Sequence, residues 1–454
     1  MPEAVTLAIL GASGDLTKRL LLPGLGTLLA HRDLDVTLIG ASADSMDEGA
    51  WREIVRDALE CKSCPDEAVR RTEESTRFTT LDVTDPAEMQ GFLDALPQDR
   101  PLVLYFALPP AVTIAACRAL ATLALPEGVR LALEKPFGES AASAAEFNEL
   151  LTSFVREEQI FRVDHFLGRA TVLNLIGLRV GNRVLSRVWT AADIESIDIT
   201  YDEQLALEGR AGYYDKAGAL RDMIQSHLLL VLAMLMMDEP ARVDAVELRD
   251  LMAHVLRSTY LVDDDPQASS RRGRYTAGTV EGRDVPAYVD EPGVDAARTT
   301  ETLAEVTVEV RNGRWTGVPV TLRSGKALQG RREVVVRFRP IAHVPVGFAD
   351  DPEPNVLTFS MQPEALHLKV ATSGAEGAFD FSTVDLVTEL GSSDLRPYGE
   401  ILSFIIDGDP LLSVRGDVAE ECWRIVDPVL AAWAADEVPM LEYPAGSSGP
   451  GQDH

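Results

Sequence analysis

Residues 5–10 (VTLAIL) form an unbroken apolar run that gives way at once to GASGDLTKRLLLPGLGTLL, glycines first and then apolar residues at helical spacing. This order predicts a strand, a glycine turn and a helix. Stretches at 36–39, 78–83, 102–107 and 129–133 read as four more strands, with helical stretches such as 51–59 and 111–123 between them. Alternating strands and helices predict an α/β, Rossmann-like, doubly wound parallel sheet, whose ligands lie at strand carboxyl ends. After Ala170 the pattern changes. A helix-like stretch, TVLNLIGLRVGNRV, precedes strand-like runs at 196–201, 304–310, 318–323 and 333–339, with a long apolar helix starting at Ala219. The polar segment 263–273 reads as a loop, and the tail from Pro444, rich in Gly, Ser and Pro, reads as disordered. The division this predicts is a first domain over 1–165, a second over 166–443 and a free tail over 444–454.

The stretch FRVDHFLGR, residues 161–169, begins as a short strand and sets Asp164, His165 and Arg169 within six residues. At period two, Val163, His165 and Leu167 share one face, and Asp164 and Phe166 the other. An acid, an imidazole and a guanidinium at a strand end, with a Gly that lets the backbone turn, suit a small-anion site. They also suit a surface turn with incidental charges, and the stretch taken alone favours that reading.

Three other places carry chemistry. Gly11 and Gly14 allow a tight turn and a close approach to a ligand, and the following helix offers free N–H groups to a pyrophosphate. The spacing is not GxGxxG, because Ser13 stands at the second glycine position. YFALPP ends a strand on two prolines, and EKPFG puts Lys135 at a rigid strand exit. In the apolar helix Asp222 and His227 stand five apart, a spacing that in an α-helix rotates them widely. They would flank a site rather than stack.

Composition narrows the class. A chain of 454 residues is long for one core, so two domains are expected. A net charge of −30 argues against nucleic acid, whose phosphates would be repelled. Against that background the local run Lys326, Arg331, Arg332 suggests a small anion. Four cysteines make no disulfide framework, and the Cys61–Cys64 pair lacks partners for a zinc site. No apolar run is long enough to span a bilayer, and the N-terminus reads as a strand rather than a signal peptide. A cytoplasmic protein without a membrane partner is the expectation.

GASGDL, YFALPP, EKPFG, RVDHFLGR, GYYDKAGALRDMIQSHLL and RSGKALQGRR occur in the order found in the glucose-6-phosphate dehydrogenase family. The resemblance runs from Leu7 to about Trp433, where VRGDVAEECWRIVDP is also similar. It implies a large, mostly antiparallel sheet in an α+β second domain used for subunit association, and a homodimer or homotetramer. The implied reaction oxidises glucose 6-phosphate at C1 to 6-phosphogluconolactone with NADP or NAD, the first step of the oxidative pentose phosphate pathway, without a metal. By the same resemblance His227 is the general base and Asp164 the carboxylate that orients it. His165 and Arg169 belong to the segment that holds the 6-phosphate, and Glu203, Asp222, Lys326 and Arg331 contact the substrate. Gly11, Ser13, Gly14, Asp15, Leu16, Tyr105 and Lys135 lie on the cofactor side, Lys135 also near the sugar. Such an assignment is chemically sound: C1 loses hydride more easily as its hydroxyl proton leaves, and an imidazole suits that transfer at neutral pH.

Several positions depart from the family pattern. Arg169 replaces a lysine, Phe166 a tyrosine and Ser226 an asparagine, while Leu20 stands where many members carry a second lysine. After the second strand, where members often carry an arginine for the 2′-phosphate of NADP, this chain has Ala43 with Asp44 beside it. That predicts NAD accepted at least as well as NADP, unless another cation such as Arg52 intervenes. Two rival readings are a paralogue acting on a related sugar phosphate, which Phe166 and Arg169 suggest, and a catalytically silent ligand-binding scaffold.

Overall fold

The structure, a computed structural model, describes residues 3–59, 64–209, 211–348, 350–374, 377–391 and 393–451. It divides into two compact units, neither of them one continuous stretch. Unit 1 comprises Met1–Leu173, Pro240–Ala253 and Ser393–Trp423; unit 2 comprises Asn174–Glu239, His254–Ser392 and Arg424–His454.

Unit 1 is built on a six-stranded sheet: β1 (Glu3–Leu10), β2 (Leu34–Ser42), β3 (Arg77–Thr80), β4 (Leu102–Phe106), β5 (Arg130–Glu134) and β6 (Ile160–Val163). All pairs are parallel, in the order β3-β2-β1-β4-β5-β6. Helices cover both faces of such a sheet, so its strands are nearly all apolar, and every residue of β4 is buried. The reversal of strand order beside β1 opens the crevice in which doubly wound folds bind ligands. The core of this unit joins Leu25, Leu28 and Leu29 of the helix Leu22–His31 to Ile401, Leu402 and Ile405 of the helix Pro397–Asp407. A segment late in the chain thus completes the first fold.

Unit 2 holds β7 (Ile194–Asp202), β8 (Thr259–Leu261), β9 (Ser270–Thr276), β10 (Gly278–Val280), β11 (Arg283–Val285), β12 (Leu303–Val310), β13 (Pro319–Gly325), β14 (Arg332–Phe338), β15 (Val356–Met361), β16 (Glu364–Ser373), β17 (Phe381–Glu389) and β18 (Met440–Pro444). A ten-stranded sheet runs β17-β16-β15-β14-β7-β13-β12-β9-β18 with β8 on β12, and β10 and β11 form a separate hairpin. Its ladders are antiparallel except β7 with β13 and β9 with β18. The α+β expectation for this part of the chain holds.

Two local expectations need correction. Residues 263–273 are not all loop, since β9 starts at Ser270. Arginines make that strand read as polar, yet Arg272 is buried, donating to the Val438 carbonyl at 2.8 Å and to Asp436 at 2.7 Å. The tail is anchored through Gly451: Ala445 donates to the Thr276 carbonyl, Gly446 to that of Ala327, and the Ser448 carbonyl accepts from Arg323. Backbone groups held in this way replace the apolar anchors that its composition lacks. The helical run Ala211–Met236 is also long and apolar enough to cross a bilayer, but 89% of its apolar window is buried inside the protein, as in a core helix. Cys64 is buried, and Cys61 lies outside the described residues.

Candidate active site

The expected site residues fall into two sets, one in each unit. In unit 1 the glycine turn follows β1 directly. Gly11 has φ +89°, and a Cβ there would lie 2.2 Å from the Ala107 carbonyl oxygen, so both conformation and space demand glycine. Gly14 donates back to the Gly11 carbonyl at 3.0 Å, and the helix then opens with a wide π-type turn over Thr17–Leu21. Asp15 is exposed, and Gly11, Ser13, Gly14 and Leu16 are half-buried. The Ser13 hydroxyl meets that of Ser42 at 2.8 Å and donates to the Asp44 carboxylate at 3.2 Å. Asp44 is therefore tied to the glycine turn, at the end of β2, where a doubly wound fold reads the ribose of a dinucleotide. Ala43 is exposed, and Arg52 is paired with Glu48 at 3.3 Å within its own helix. The turn, the free helix start and the polar cluster after β2 fit a nicotinamide dinucleotide.

β6 ends at Val163, so the period-two reading of FRVDHFLGR stops there. Residues 164–169 curl into a tight turn, with Leu167 donating to the Asp164 carbonyl, Gly168 to that of His165 and Arg169 to that of Phe166. The turn, and not strand alternation, separates the side chains. Asp164 is fully buried, and one of its carboxylate oxygens accepts the Phe166 N–H at 3.0 Å. Gly168 serves close approach rather than turning: a Cβ there would come within 2.5 Å of the Pro397 carbonyl oxygen. That contact brings the His165 ring into a stack on Tyr398, with centroids 5.8 Å apart and planes 11° apart. Phe166 is buried, and the Arg169 guanidinium lies over its ring at 4.5 Å. The two departures from the family pattern thus form one unit, a cation seated on an aromatic face.

Tyr105, expected on the cofactor side, is turned into the core by the alternation of β4 and donates to the Glu134 carboxylate at 2.5 Å. Its side chain is committed there rather than presented to a ligand. Tyr398 donates to the same carboxylate. Burial raises the Glu134 carboxyl to about 7, with Asp164 adding to the rise; the two phenols and Lys135 oppose it. Neither Glu134 nor Tyr398 was singled out from sequence. Glu134 had a signal, its place beside Lys135 in EKPFG, whereas Tyr398 stands too far along the chain to show one.

In unit 2, β7 ends at Asp202, its parallel neighbour β13 ends at Gly325, and antiparallel β14 begins at Arg332. Glu203, Lys326 and Arg331 consequently emerge at the same end of three adjacent strands. Lys326 is buried, pairs with Glu203 at 2.5 Å and sits 4.8 Å from the centre of the Tyr214 ring. Arg331 is half exposed, 3.8 Å from the buried Asp202, which also binds Arg323 at 3.0 Å.

The segment Leu220–Leu228 is π-helical, with Leu229 donating to the Ile224 carbonyl five residues back. In an i→i+5 helix, residues five apart stand about one turn apart. The wide angle expected between Asp222 and His227 is therefore wrong for this backbone, and both lie towards one face. Tyr213 donates to Asp222 at 3.4 Å, while His227 is buried. The segment starts where it does because the buried Glu301 carboxylate accepts the Leu220 N–H at 2.9 Å. Glu301 gave no sequence signal, since a lone acid before a strand reads as solvated.

Comparison with known proteins agrees over the whole chain. Residues 8–174 match the glucose-6-phosphate dehydrogenase NAD binding domain, and residues 176–454 the glucose-6-phosphate dehydrogenase C-terminal domain. A glucose-6-phosphate 1-dehydrogenase of Gluconobacter oxydans (strain 621H) is 37% identical over 471 aligned residues, covering 99% of this chain and 95% of that protein. Among solved structures, a glucose-6-phosphate 1-dehydrogenase from Mycobacterium avium matches with a TM-score of 0.86 at 32% identity, over 99% of this chain and 96% of that one. A glucose-6-phosphate dehydrogenase in complex with its substrate glucose-6-phosphate matches with a TM-score of 0.89 at 28% identity and the same coverage. A glycine turn on a doubly wound sheet, a ten-stranded second sheet and two domain matches lead to one assignment: the chain belongs to the glucose-6-phosphate dehydrogenase family.

Proposed function

We propose that this chain oxidises glucose 6-phosphate at C1 to 6-phosphogluconolactone. The observation that carries the reading is the π-helical turn that sets His227 and Asp222 towards one face, in a motif shared with a family whose solved member holds glucose-6-phosphate as substrate. His227 takes the C1 hydroxyl proton, and Asp164 keeps the supporting role that the resemblance assigns to it. His165 and Arg169 hold the 6-phosphate, for which imidazolium and a forked guanidinium are suited donors. Asp222, Glu203, Lys326 and Arg331 hold the sugar, and Lys135 serves both sugar and cofactor. Gly11, Ser13, Gly14, Asp15 and Leu16 cradle a nicotinamide dinucleotide, which when bound supplies the hydride acceptor. Asp44 favours a free ribose diol over a 2′-phosphate, so NAD is accepted at least as well as NADP.

The protein is assigned to the cytoplasm and to a homo-oligomer. β17, an edge strand, supports association, because it exposes Val384, Leu386 and Val387. A second reading, a related sugar phosphate as substrate, is favoured by the Arg169–Phe166 stack, which replaces a compact ammonium with a planar fork. A panel of phosphorylated and free hexoses with NAD and NADP decides between them. Glucose 6-phosphate should give the highest kcat/KM; a higher value with another sugar phosphate supports the second reading, and no turnover with any rejects both.

A further inference from the structure

We propose that Glu134 is a positioning residue of the substrate site, whose carboxylate clamps Tyr105 and Tyr398 and thereby sets the surface on which His165 lies to grip the sugar phosphate. The inference deepens the function proposed above and rests on it for the role of His165.

A carboxylate only accepts, so it can receive both phenol hydroxyls at once. Tyr105 approaches from β4 and Tyr398 from the helix Pro397–Asp407. The remaining charged groups facing Glu134 are Lys135, next in its own chain, and Asp164 from the turn after β6. Both phenols titrate well above the ordinary tyrosine range, pushed up first by burial and then by the charge of Glu134, so both stay protonated donors at any working pH. When Glu134 takes up a proton, the protonated oxygen becomes a donor and a poor acceptor, and both phenol hydrogen bonds lose their charge assistance. The phenol ring of Tyr398 carries the stacked imidazole, and Pro397 beside it touches Gly168 of the phosphate turn. A weaker hold on Tyr398 therefore loosens the turn that presents His165. The carboxyl titrates at about 7, so the clamp tightens and slackens across neutrality.

The test is calorimetric binding of glucose 6-phosphate between pH 5.5 and 9 to the wild type and to Glu134→Gln, which keeps the shape and removes the titration. In the wild type affinity should fall on acidification by about tenfold more than in Glu134→Gln, the loss of one charge-assisted hydrogen bond. The substrate's own phosphate ionises identically in both and cancels. Above pH 8 the variant should bind about tenfold more weakly than the wild type. Tyr398→Phe serves as the second variant should Glu134→Gln fail to fold, and it should flatten the pH dependence in the same way. Superposable pH profiles overturn the proposal while leaving the catalytic reading intact. Binding that shows the pH difference without turnover overturns the catalytic reading and leaves the clamp. A wild type that binds no sugar phosphate overturns both.

Discussion

Cofactor choice should turn on one exposed carboxylate. Asp44 is held 3.2 Å from the Ser13 hydroxyl, which in turn meets Ser42, so its charge is fixed beside the glycine turn rather than free to swing away. A 2′-phosphate brings about −1.5 to −2 charges to this part of such a fold. At about 6 Å in a water-like dielectric, the repulsion is about 1–1.4 kcal/mol, a factor of about five to ten. A ribose diol instead donates to the carboxylate, a charged hydrogen bond of about 1.5–3 kcal/mol in a closed site and less at this exposed one. Arg52, the cation that could offset this, is engaged with Glu48. The wild type should therefore show a kcat/KM for NAD at least equal to that for NADP. Asp44→Ala should shift the ratio towards NADP by about tenfold, and Ala43→Arg combined with Asp44→Ala should reverse it. The repulsive share should shrink in 1 M salt, where the screening length is about 3 Å. Initial rates with each cofactor, followed by absorbance of the reduced nicotinamide, give the ratio. A strong NADP preference in the wild type, or an unchanged ratio in Asp44→Ala, would refute the reasoning.

Three further perturbations have defined outcomes. His227→Ala should lower kcat by about 10²–10⁴-fold in protein that still melts cooperatively, and retained turnover would assign the base elsewhere. Glu134→Gln should stabilise the protein at alkaline pH. The folded carboxyl titrates near 7 against an ordinary 4.5, so between those values the folded state holds a proton that the unfolded chain has released. Wild-type stability therefore falls as pH rises from about 4.5 to about 7, by about 2–4 kcal/mol, and the variant escapes this. Thermal melts should favour the variant at pH 8 and coincide at pH 4; no difference at pH 8 speaks against the raised titration. Val387→Lys on β17 should reduce the mass seen by light scattering, and an unchanged mass removes that strand from the interface.

Much of the first fold was legible because parallel strands buried on both faces are continuous apolar runs, as β1 and β4 are. The second sheet was legible only in part. β7, β12, β13 and β14 alternate buried with less buried residues, whereas β17 exposes almost every side chain and leaves no pattern to read. β9 was hidden by its arginines, one of which is buried in partnership with a carbonyl and a carboxylate. Motif order named the candidate site residues, but not their geometry. A π-helix breaks the 3.6-residue period on which the Asp222–His227 spacing was read, and a tight turn breaks the alternation read through Asp164 and His165. The Glu134–Tyr105–Tyr398 cluster joins residues of three distant elements, and its Tyr398 had no local signal.

The most direct test of the account is the fate of the hydrogen at C1. Glucose 6-phosphate deuterated at C1 is incubated with the protein and NAD or NADP, and the reduced cofactor is weighed by mass spectrometry. Each reduced nicotinamide should carry one deuterium, formed more slowly than with unlabelled sugar and lost together with turnover in His227→Ala. Reduced cofactor without deuterium, or no reduction at all, would contradict the account.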